Sequence, residues 1–356
     1  MPTYPSPAAV KLSALLLGTT LLLSPISVSA KFNPLDCVPA VSAPSPLSQE
    51  RQEWLTYRDI CSQLTELGFS SQACALLYTR LGPQLAQQLA EGQWSLSQLT
   101  FLSLPNCRLE YLDRYQTYAL DHPEFSPLEA VVQVNLGLDR PFYQDPIVLS
   151  DPADPLVLVN KYSALPADYV PELTALKPRY GIGSLTPQAA QAFVQMADAA
   201  RADGISLRSV SAYRSYSYQE QLYQRYVAEN GQALADTFSA RPGHSEHQTG
   251  LALDINTASS RAHFEDTAEY AWLQEHCAQF GFVLRYPEGK QDITGYRFEP
   301  WHYRYVGVEV AQVCTQLGLT YDEYLAYQAI SGPYALPLGP LAESGPDCQE
   351  SVFLRV

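Results

Sequence analysis

The segment that most constrains the fold of this chain is HQTGLALDI, residues 247–255. Gly250 permits a tight turn, and the apolar residues after it are typical of a buried strand. We therefore predict His247 on the loop that enters the strand and Asp254 on the strand itself. The chain has only six His among its 356 residues. A His held close to an Asp in this way indicates a chemical site, although this pattern alone is not specific.

A second segment, YRFEPWHYRYVG at 296–307, supplies what the first one lacks. Two ligands make a poor metal site, because a catalytic zinc takes three protein ligands and keeps a fourth position for water. Pro300 excludes a regular helix, so we predict a strand end that turns sharply. His302 can then face the metal while Glu299 reaches the water. Two His, one Asp and an unliganded Glu are typical of a hydrolytic zinc centre.

The other His residues have simpler interpretations. His244 lies three residues before His247 and could be a ligand, but we rank it as a residue of the rim or of the outer shell. We interpret His122, His263 and His276 as structural, because they lack acidic or glycine-rich neighbours of the right kind.

The first thirty residues have the features of a secretory signal peptide. Lys11 precedes the apolar run LSALLLGTTLLL, and small residues at 28–30 form a cleavage site. An uncleaved anchor is the alternative, but the run is short for a span of about 20 residues, and Pro25 interrupts it. We expect cleavage and a protein that works outside the cytoplasm.

The charge of the chain limits its partners. Lys and Arg number 22 against 37 Asp and Glu, which gives a formal net charge of −15. Such a surface repels nucleic acid and anionic lipid. We expect no nucleic-acid partner, and no membrane span once the signal peptide is removed.

Seven Cys form an early and a late group: Cys37, Cys61, Cys74 and Cys107, then Cys277, Cys314 and Cys348. Disulfides are the default interpretation in a secreted chain, and no CxxC pair indicates metal or redox chemistry. We predict two bridges within the early group and one between Cys314 and Cys348.

Pro, Gly and apolar periodicity divide the chain into six parts. These are a signal peptide at 1–30, a Pro- and Ser-rich linker at 31–49, a small helical domain at 50–125 stapled by disulfides, a connecting segment at 126–154 with a strand-like AVVQV at 130–134, a catalytic domain at 155–335 and a C-terminal tail at 336–356.

The catalytic domain is predicted to be α+β with a central antiparallel sheet, because its strands and helices do not alternate strictly. Helices are predicted at 187–204, 217–229, 266–279 and 305–317, and strands near 206–213, 251–255, 281–286 and 294–299.

SEHQTGLALD together with EPWHYRYVG resembles the D-alanyl-D-alanine carboxypeptidases of the VanY type. These are zinc peptidases of bacterial cell walls, and they share their fold with the hedgehog signalling domain. The similarity extends through LVNKYSALPADYVPEL, SAYRSYSYQEQLY and GFVLRYPEGK and covers roughly residues 155–310. The resemblance implies a hedgehog-like peptidase fold after the small helical domain.

The resemblance also implies roles for individual residues. His247, Asp254 and His302 match the ligands of one Zn2+ per chain, and Glu299 matches the catalytic base. Arg214 matches an arginine that faces the substrate and steadies charge on the attacked carbonyl.

Three further residues are candidate substrate contacts. Ser245 and Gln219 match positions that line the pocket for the terminal D-alanine, and we add Trp301. His244 occupies a position that the family pattern leaves variable.

The resulting prediction is a secreted, periplasmic or wall-associated zinc carboxypeptidase. It would remove the C-terminal D-alanine from peptidoglycan stem peptides with a metal-bound water that Glu299 activates. L,D-carboxypeptidase and D-Ala-D-Ala dipeptidase activities remain alternatives on the same wall peptides. A non-catalytic zinc-binding module is the third alternative, and the presence of Glu299 argues against it.

Overall fold

A computed structural model of the chain describes residues 49–328. The predicted signal peptide at 1–30, nearly all of the linker and the C-terminal tail at 336–356 lie outside the described residues, as do Cys37 and Cys348. The described part consists of a helical unit followed by a unit built around a sheet.

Six α-helices form the first unit within the described residues: α1 (Gln49–Glu66), α2 (Ser71–Leu81), α3 (Leu85–Ala90), α4 (Leu96–Leu102), α5 (Leu112–Asp121) and α6 (Pro127–Leu136). Ser70, Ser95 and Ser126 each cap a helix by accepting a hydrogen bond from a backbone N–H of its first turn. Apolar side chains form one buried core, which includes Ile60, Leu64, Leu77, Leu99, Tyr115 and Val131.

The AVVQV segment at 130–134 is helical, so its prediction as a strand is wrong. It lies in α6, where Ser126 and Glu129 form a capping box and Pro127 occupies the first turn. A short apolar run does not distinguish a strand from a buried helix by periodicity. Because Val131 belongs to the helical core, the helical unit reaches Leu136, beyond the predicted end at residue 125.

The predicted disulfides are also corrected by the structure. Cys61, Cys74 and Cys107 are free thiols, as are Cys277 and Cys314. No disulfide joins two described Cys, so the early bridge that would pair two of Cys61, Cys74 and Cys107 is absent. The bridges that would include Cys37 or Cys348 lie outside the described residues. Within the described residues, packed apolar side chains hold the helical unit together.

The second unit contains the remaining elements. In chain order these are β1 (Ile147–Val148), β2 (Ser163–Ala164), β3 (Thr174–Ala175), β4 (Ser184–Leu185), α7 (Pro187–Ala202), β5 (Arg208–Ser211), α8 (Tyr216–Asn230), α9 (Gln232–Ala235), β6 (Ala252–Asn256), α10 (Ala268–His276), β7 (Phe282–Leu284), α11 (Gln291–Thr294), β8 (His302–Tyr305), α12 (Val308–Leu317) and α13 (Tyr321–Tyr327).

The central sheet has the order β5-β6-β8-β7, and all of its neighbouring strands are antiparallel. α7 packs against it through Phe193 and Met196, which are fully buried beside Leu253 of β6. The predicted α+β class with a central antiparallel sheet is confirmed.

The strand predicted at 294–299 is wrong. α11 ends at Thr294, and Gly295 follows with a φ of 76°. The last sheet strand, β8, begins only at His302, after a turn in which the His302 N–H donates to the Glu299 carbonyl oxygen at 3.1 Å. Pro300 within this turn prevents the strand from starting earlier.

The helical unit contacts the end of the second unit through α13. The side-chain amides of Asn106 and Asn135 donate to the Ala326 carbonyl oxygen at 3.1 and 3.3 Å. Ala326 also lies in an apolar cluster with Val132 and Leu136 of α6. Between residues 49 and 328, no helix has both the length and the apolar character that a membrane crossing requires.

Candidate active site

The two antiparallel strands β6 and β8 bring the predicted ligands together. Asp254 pairs directly with His302 in their register. His247 lies in a short 3-10 turn, Glu246–Thr249, that leads into β6. One atom of each of these three buried side chains lies within 4.8 Å of the other two. Cross-strand neighbours are close in any antiparallel pair, so the sheet itself sets this arrangement.

Gly250 makes the turn before β6 possible. It has a φ of 69°, a left-handed conformation that favours glycine. A Cβ atom at this position would lie 3.1 Å from Leu173 and 3.2 Å from Pro171. The absence of a side chain at Gly250 therefore also allows the turn before β6 to pack closely against Pro171 and Leu173.

The backbone fixes the orientation of His247. Its Nδ1 lies 2.7 Å from the Ala212 carbonyl oxygen, so this nitrogen carries the proton and donates. The other nitrogen, Nε2, faces Asp254 Oδ1 at 3.3 Å. Burial, reinforced by the positive charge of Arg214, lowers the pKa of His247 to about 4. The imidazole is therefore neutral near pH 7, as a metal ligand must be.

Asp254 uses its two oxygens differently. Oδ2 accepts a hydrogen bond from Arg214 Nη2 at 2.7 Å, whereas Oδ1 is buried without a hydrogen-bond partner. Burial opposes the charge of this carboxylate, but His247, His302 and Arg214 hold its pKa well below the usual value. An ionised, unpaired oxygen thus points into the centre of the cluster.

His302 completes the cluster through Nδ1, which lies 3.3 Å from Asp254 Oδ1. Burial would lower the pKa of His302, but the nearby Asp254, Glu246 and Glu299 carboxylates raise it to about 9. In the metal-free protein the His302 ring therefore carries a proton on both nitrogens near pH 7, and a bound cation would replace the proton on Nδ1.

Two of the three distances between these ligand atoms match those around a tetrahedral divalent ion. Ligand atoms about 2 Å from such an ion lie roughly 3.3 Å from one another. Asp254 Oδ1 is 3.3 Å from both the His247 Nε2 and the His302 Nδ1. Two imidazole nitrogens and one carboxylate oxygen are a donor set that zinc prefers, and the lack of a hydrogen-bond partner at Oδ1 favours the same interpretation.

Glu299 stands beside this cluster at the turn before β8. Its Oε2 lies 3.6 Å from His302 Nδ1, and its side chain is buried. Burial raises the pKa of Glu299 to about 7, with the Asp254 charge adding to the shift and the charges of His302 and Arg214 opposing it. A carboxylate with a pKa near 7 can both take and return a proton at neutral pH.

Arg214 is held from three sides. Besides Asp254, its guanidinium donates to Ser211 Oγ at 3.0 Å and to Gln219 Oε1 at 3.4 Å. It is half-buried and lines the same cavity as Glu299. The structure thus shows a bond from Arg214 to the predicted ligand Asp254 that the sequence did not indicate, whereas its contact with a substrate stays a prediction.

The candidate substrate contacts Ser245, Gln219 and Trp301 all line this cavity. The Gln219 amide also donates to the Ala240 carbonyl oxygen at 2.8 Å, which fixes its orientation. His244, predicted at the rim or in the outer shell, is buried, with Nδ1 2.8 Å from the Asn160 carbonyl oxygen and its ring edge-on to Tyr143.

The remaining His residues lie elsewhere and make local contacts. His122 stacks on Tyr118, and His276 stacks on Trp272. His263 is exposed, 3.5 Å from Glu265.

Sequence reasoning missed Glu246. This residue is fully buried between Ser245 and His247, and it binds Arg285 and Arg304. The only signal in the sequence was an acidic residue directly before the predicted ligand His247.

Comparison with known proteins gives a consistent result. The sequence model of the family described as D-alanyl-D-alanine carboxypeptidase, VanY, matches residues 183–308. The putative carboxypeptidase YodJ of Bacillus subtilis is 39% identical over 191 residues, which cover 49% of this chain and 68% of that protein. The bifunctional D-Ala-D-Ala dipeptidase and D-Ala-D-Ala carboxypeptidase VanXYC of Enterococcus gallinarum is 37% identical over 183 residues, which cover 49% of this chain and 95% of that protein.

Among solved structures, a variant of the vancomycin resistance D,D-pentapeptidase VanY in complex with Zn(II) is 39% identical. It matches with a TM-score of 0.44, over 48% of this chain and 98% of that one.

Proposed function

Because the chain belongs to the VanY family of D-alanyl-D-alanine carboxypeptidases, we propose that it is a zinc-dependent enzyme that removes the C-terminal D-alanine from peptidoglycan stem peptides. One observation carries the proposal. Asp254 Oδ1 lies 3.3 Å from a nitrogen of each His, the spacing of neighbouring ligands around a tetrahedral ion, and beside them lies the buried Glu299 carboxylate, whose pKa is about 7.

His247 Nε2, Asp254 Oδ1 and His302 Nδ1 would hold the ion, and one ion per chain is expected. Bound there, Zn2+ would act as a Lewis acid that lowers the pKa of water and draws charge from a carbonyl oxygen.

Glu299 moves the proton in this proposal. Its Oε2 accepts a proton from the attacking water and later returns it to the amine of the departing D-alanine. A pKa near 7 suits both steps, because the carboxylate is neither too weak as a base nor too weak as an acid at neutral pH. Its position at a turn that the N–H of His302 closes keeps the carboxylate beside the ligands.

Arg214 supplies positive charge to the cavity. Asp254, Ser211 and Gln219 fix its guanidinium, so little reorganisation is needed when negative charge develops on the attacked carbonyl. Ser245, Gln219 and Trp301 line the remaining wall and are proposed to enclose the terminal D-alanine.

One experiment tests this proposal together with the two other wall-peptide activities. Purified protein is incubated with a pentapeptide stem, a tetrapeptide stem and free D-Ala-D-Ala, with and without a chelator, and the products are weighed by mass spectrometry. Loss of one D-alanine from the pentapeptide supports the proposal. Cleavage of the tetrapeptide alone would make it an L,D-carboxypeptidase, and cleavage of the free dipeptide alone a dipeptidase.

The dipeptidase alternative has a specific observation in its favour, since the relative VanXYC is described as having both activities. The non-catalytic alternative has none. A Glu299→Gln variant that binds zinc but has lost turnover would reject a purely binding role, whereas unchanged wall-peptide binding and no hydrolysis by the natural protein would support it.

We also propose that the enzyme works outside the cytoplasm, in the periplasm or at the cell wall. The proposal is supported by the apolar run after Lys11 and by the small residues at 28–30. N-terminal sequencing of protein recovered from the producing cell should begin near Lys31, and a start at Met1 would contradict cleavage.

A further inference from the structure

Glu246 has one carboxylate oxygen that is fully used and one that is not. Oε1 accepts hydrogen bonds from Arg285 Nε at 2.8 Å and from Arg304 Nη1 at 3.0 Å. Oε2 is buried without a hydrogen-bond partner, and it lies 3.7 Å from His302 Nε2, which is also buried and unpartnered. Two unsatisfied buried polar atoms that face each other call for an explanation, because such atoms are almost always paired in folded proteins.

The two nitrogens of His302 face different groups. Nδ1 points to Asp254 Oδ1 at 3.3 Å, in the centre of the ligand cluster, and Nε2 points away from it to Glu246. A His that binds a metal through one nitrogen usually donates its other N–H to a carboxylate or a carbonyl, which fixes the tautomer and the ring orientation. His247 already follows this rule through the Ala212 carbonyl oxygen.

We propose that Glu246 is a positioning residue for the metal ligand His302. Its Oε2 accepts the Nε2–H of His302, which keeps Nδ1 free of a proton and directed at the ion. The inference rests on the proposed zinc site and adds a role for a residue outside the ligand set.

The surroundings of Glu246 suit this role. Arg304 also donates to the carbonyl oxygens of Pro155 and Val157 at 3.0 and 2.9 Å, and Arg285 also binds Asp322 of α13 at 2.5 Å. Both arginines are fully buried. They therefore fix Glu246 Oε1 from two directions, which leaves Oε2 a single orientation, towards His302. A carboxylate acceptor also raises the basicity of the imidazole as a ligand.

The test compares two variants that perturb the same charged cluster. Glu246→Gln keeps the shape of the side chain, but it can present an N–H towards His302 Nε2 and so favour the tautomer that cannot bind a metal through Nδ1. Asp322→Asn is the matched control, because it removes a carboxylate from Arg285 without touching His302. Zinc affinity is measured by competition with a chromophoric chelator, and thermal unfolding of the metal-free proteins is measured in parallel.

We expect Glu246→Gln to bind zinc about 10 to 100 times more weakly than the natural protein, and Asp322→Asn to bind it with nearly natural affinity even if its melting temperature falls. Equal zinc affinity of Glu246→Gln and the natural protein would overturn the inference. Equal losses in both variants would overturn it too, because they would reflect general damage to the cluster.

A second measurement needs no variant in case Glu246→Gln does not fold. In the zinc-loaded natural protein labelled with 15N-histidine, the ring of His302 should carry its proton on Nε2. Nuclear magnetic resonance that finds the metal on Nε2 would contradict the role of Glu246. A natural protein that binds no zinc at all would overturn the proposed function as well, whereas zinc binding that Glu246→Gln shares would overturn this inference alone.

Discussion

Glu299 is expected to lower the stability of the metal-free protein at neutral and alkaline pH, and replacing it by Gln is expected to remove that effect. The carboxyl is buried beside the Asp254 carboxylate, and its pKa rises from 4.5 to about 7. A neutral amide of the same shape avoids the cost of holding a charge in this position. The same substitution is expected to abolish turnover, so activity and stability should change in opposite directions.

The sign and size of the effect follow from the two pKa values. The folded-state pKa of Glu299 lies above the unfolded value, so the folded protein holds this proton more tightly than the unfolded chain does. The stability linked to the proton is fully present below about pH 4.5 and is lost as the pH rises to about 7. A difference of about 2.5 units corresponds to about 3 kcal/mol at most. The opposing attraction of the protonated His302 is already contained in the pKa of about 7, so this value is a net effect. We therefore expect about 1 to 3 kcal/mol, or a melting temperature several degrees higher.

The assay is thermal unfolding of metal-free protein in a chelator, followed by circular dichroism between pH 5 and pH 8. The advantage of Glu299→Gln should be small at pH 5 and should grow up to about pH 7 to 8. Glu288→Gln is the control, since Glu288 is exposed on a nearby loop. A stability difference that does not change with pH, or a variant less stable than the natural protein at pH 8, would refute the reasoning.

Three further predictions concern the ligands, the cavity and the helical core. Asp254→Asn should reduce bound zinc, measured by elemental analysis, from one ion per chain to a small fraction, and full occupancy would contradict the role of Oδ1. Arg214→Ala should lower kcat/KM on a pentapeptide stem about 100-fold or more, as loss of a preorganised donor does elsewhere; an unchanged value would remove it from the site. Leu77→Ala should cost about 2 to 5 kcal/mol in urea unfolding, because Leu77 is fully buried. Leu120→Ala at an exposed position should cost almost nothing, and similar losses in the two variants would contradict the assignment of the core.

The parts of the fold that were predictable from sequence are those set by local signals. α2 (Ser71–Leu81) is an example, since the Ser70 that caps it and the Gly82 that follows it are both local sequence signals. β6 lies within one residue of its predicted position because Gly250 and an apolar run define it. The convergence of Asp254 with His302 followed from chemistry, since neither segment alone provides enough ligands.

The parts that sequence did not predict depend on long-range contacts. AVVQV is a helix because its apolar side chains pack on two sides, against the helical core and against α13. The buried partners of Glu246 come from positions 285 and 304, and no local pattern pairs them with it. The Cys residues were predicted to form disulfides because the chain was expected to be secreted, but the five described thiols are free.

The position of α13 sets the limits of the smallest fragment that can retain the site. This helix receives the amides of Asn106 and Asn135 at one end and contributes Asp322 to Arg285 at the other. A fragment limited to residues 183–308, the stretch that the family model matches, would lack Asp322. The buried guanidinium of Arg285 would then keep only one of its two carboxylate partners, Glu246. Transplanting this catalytic centre into another protein therefore requires carrying α13 along, together with the face of α6 on which it rests.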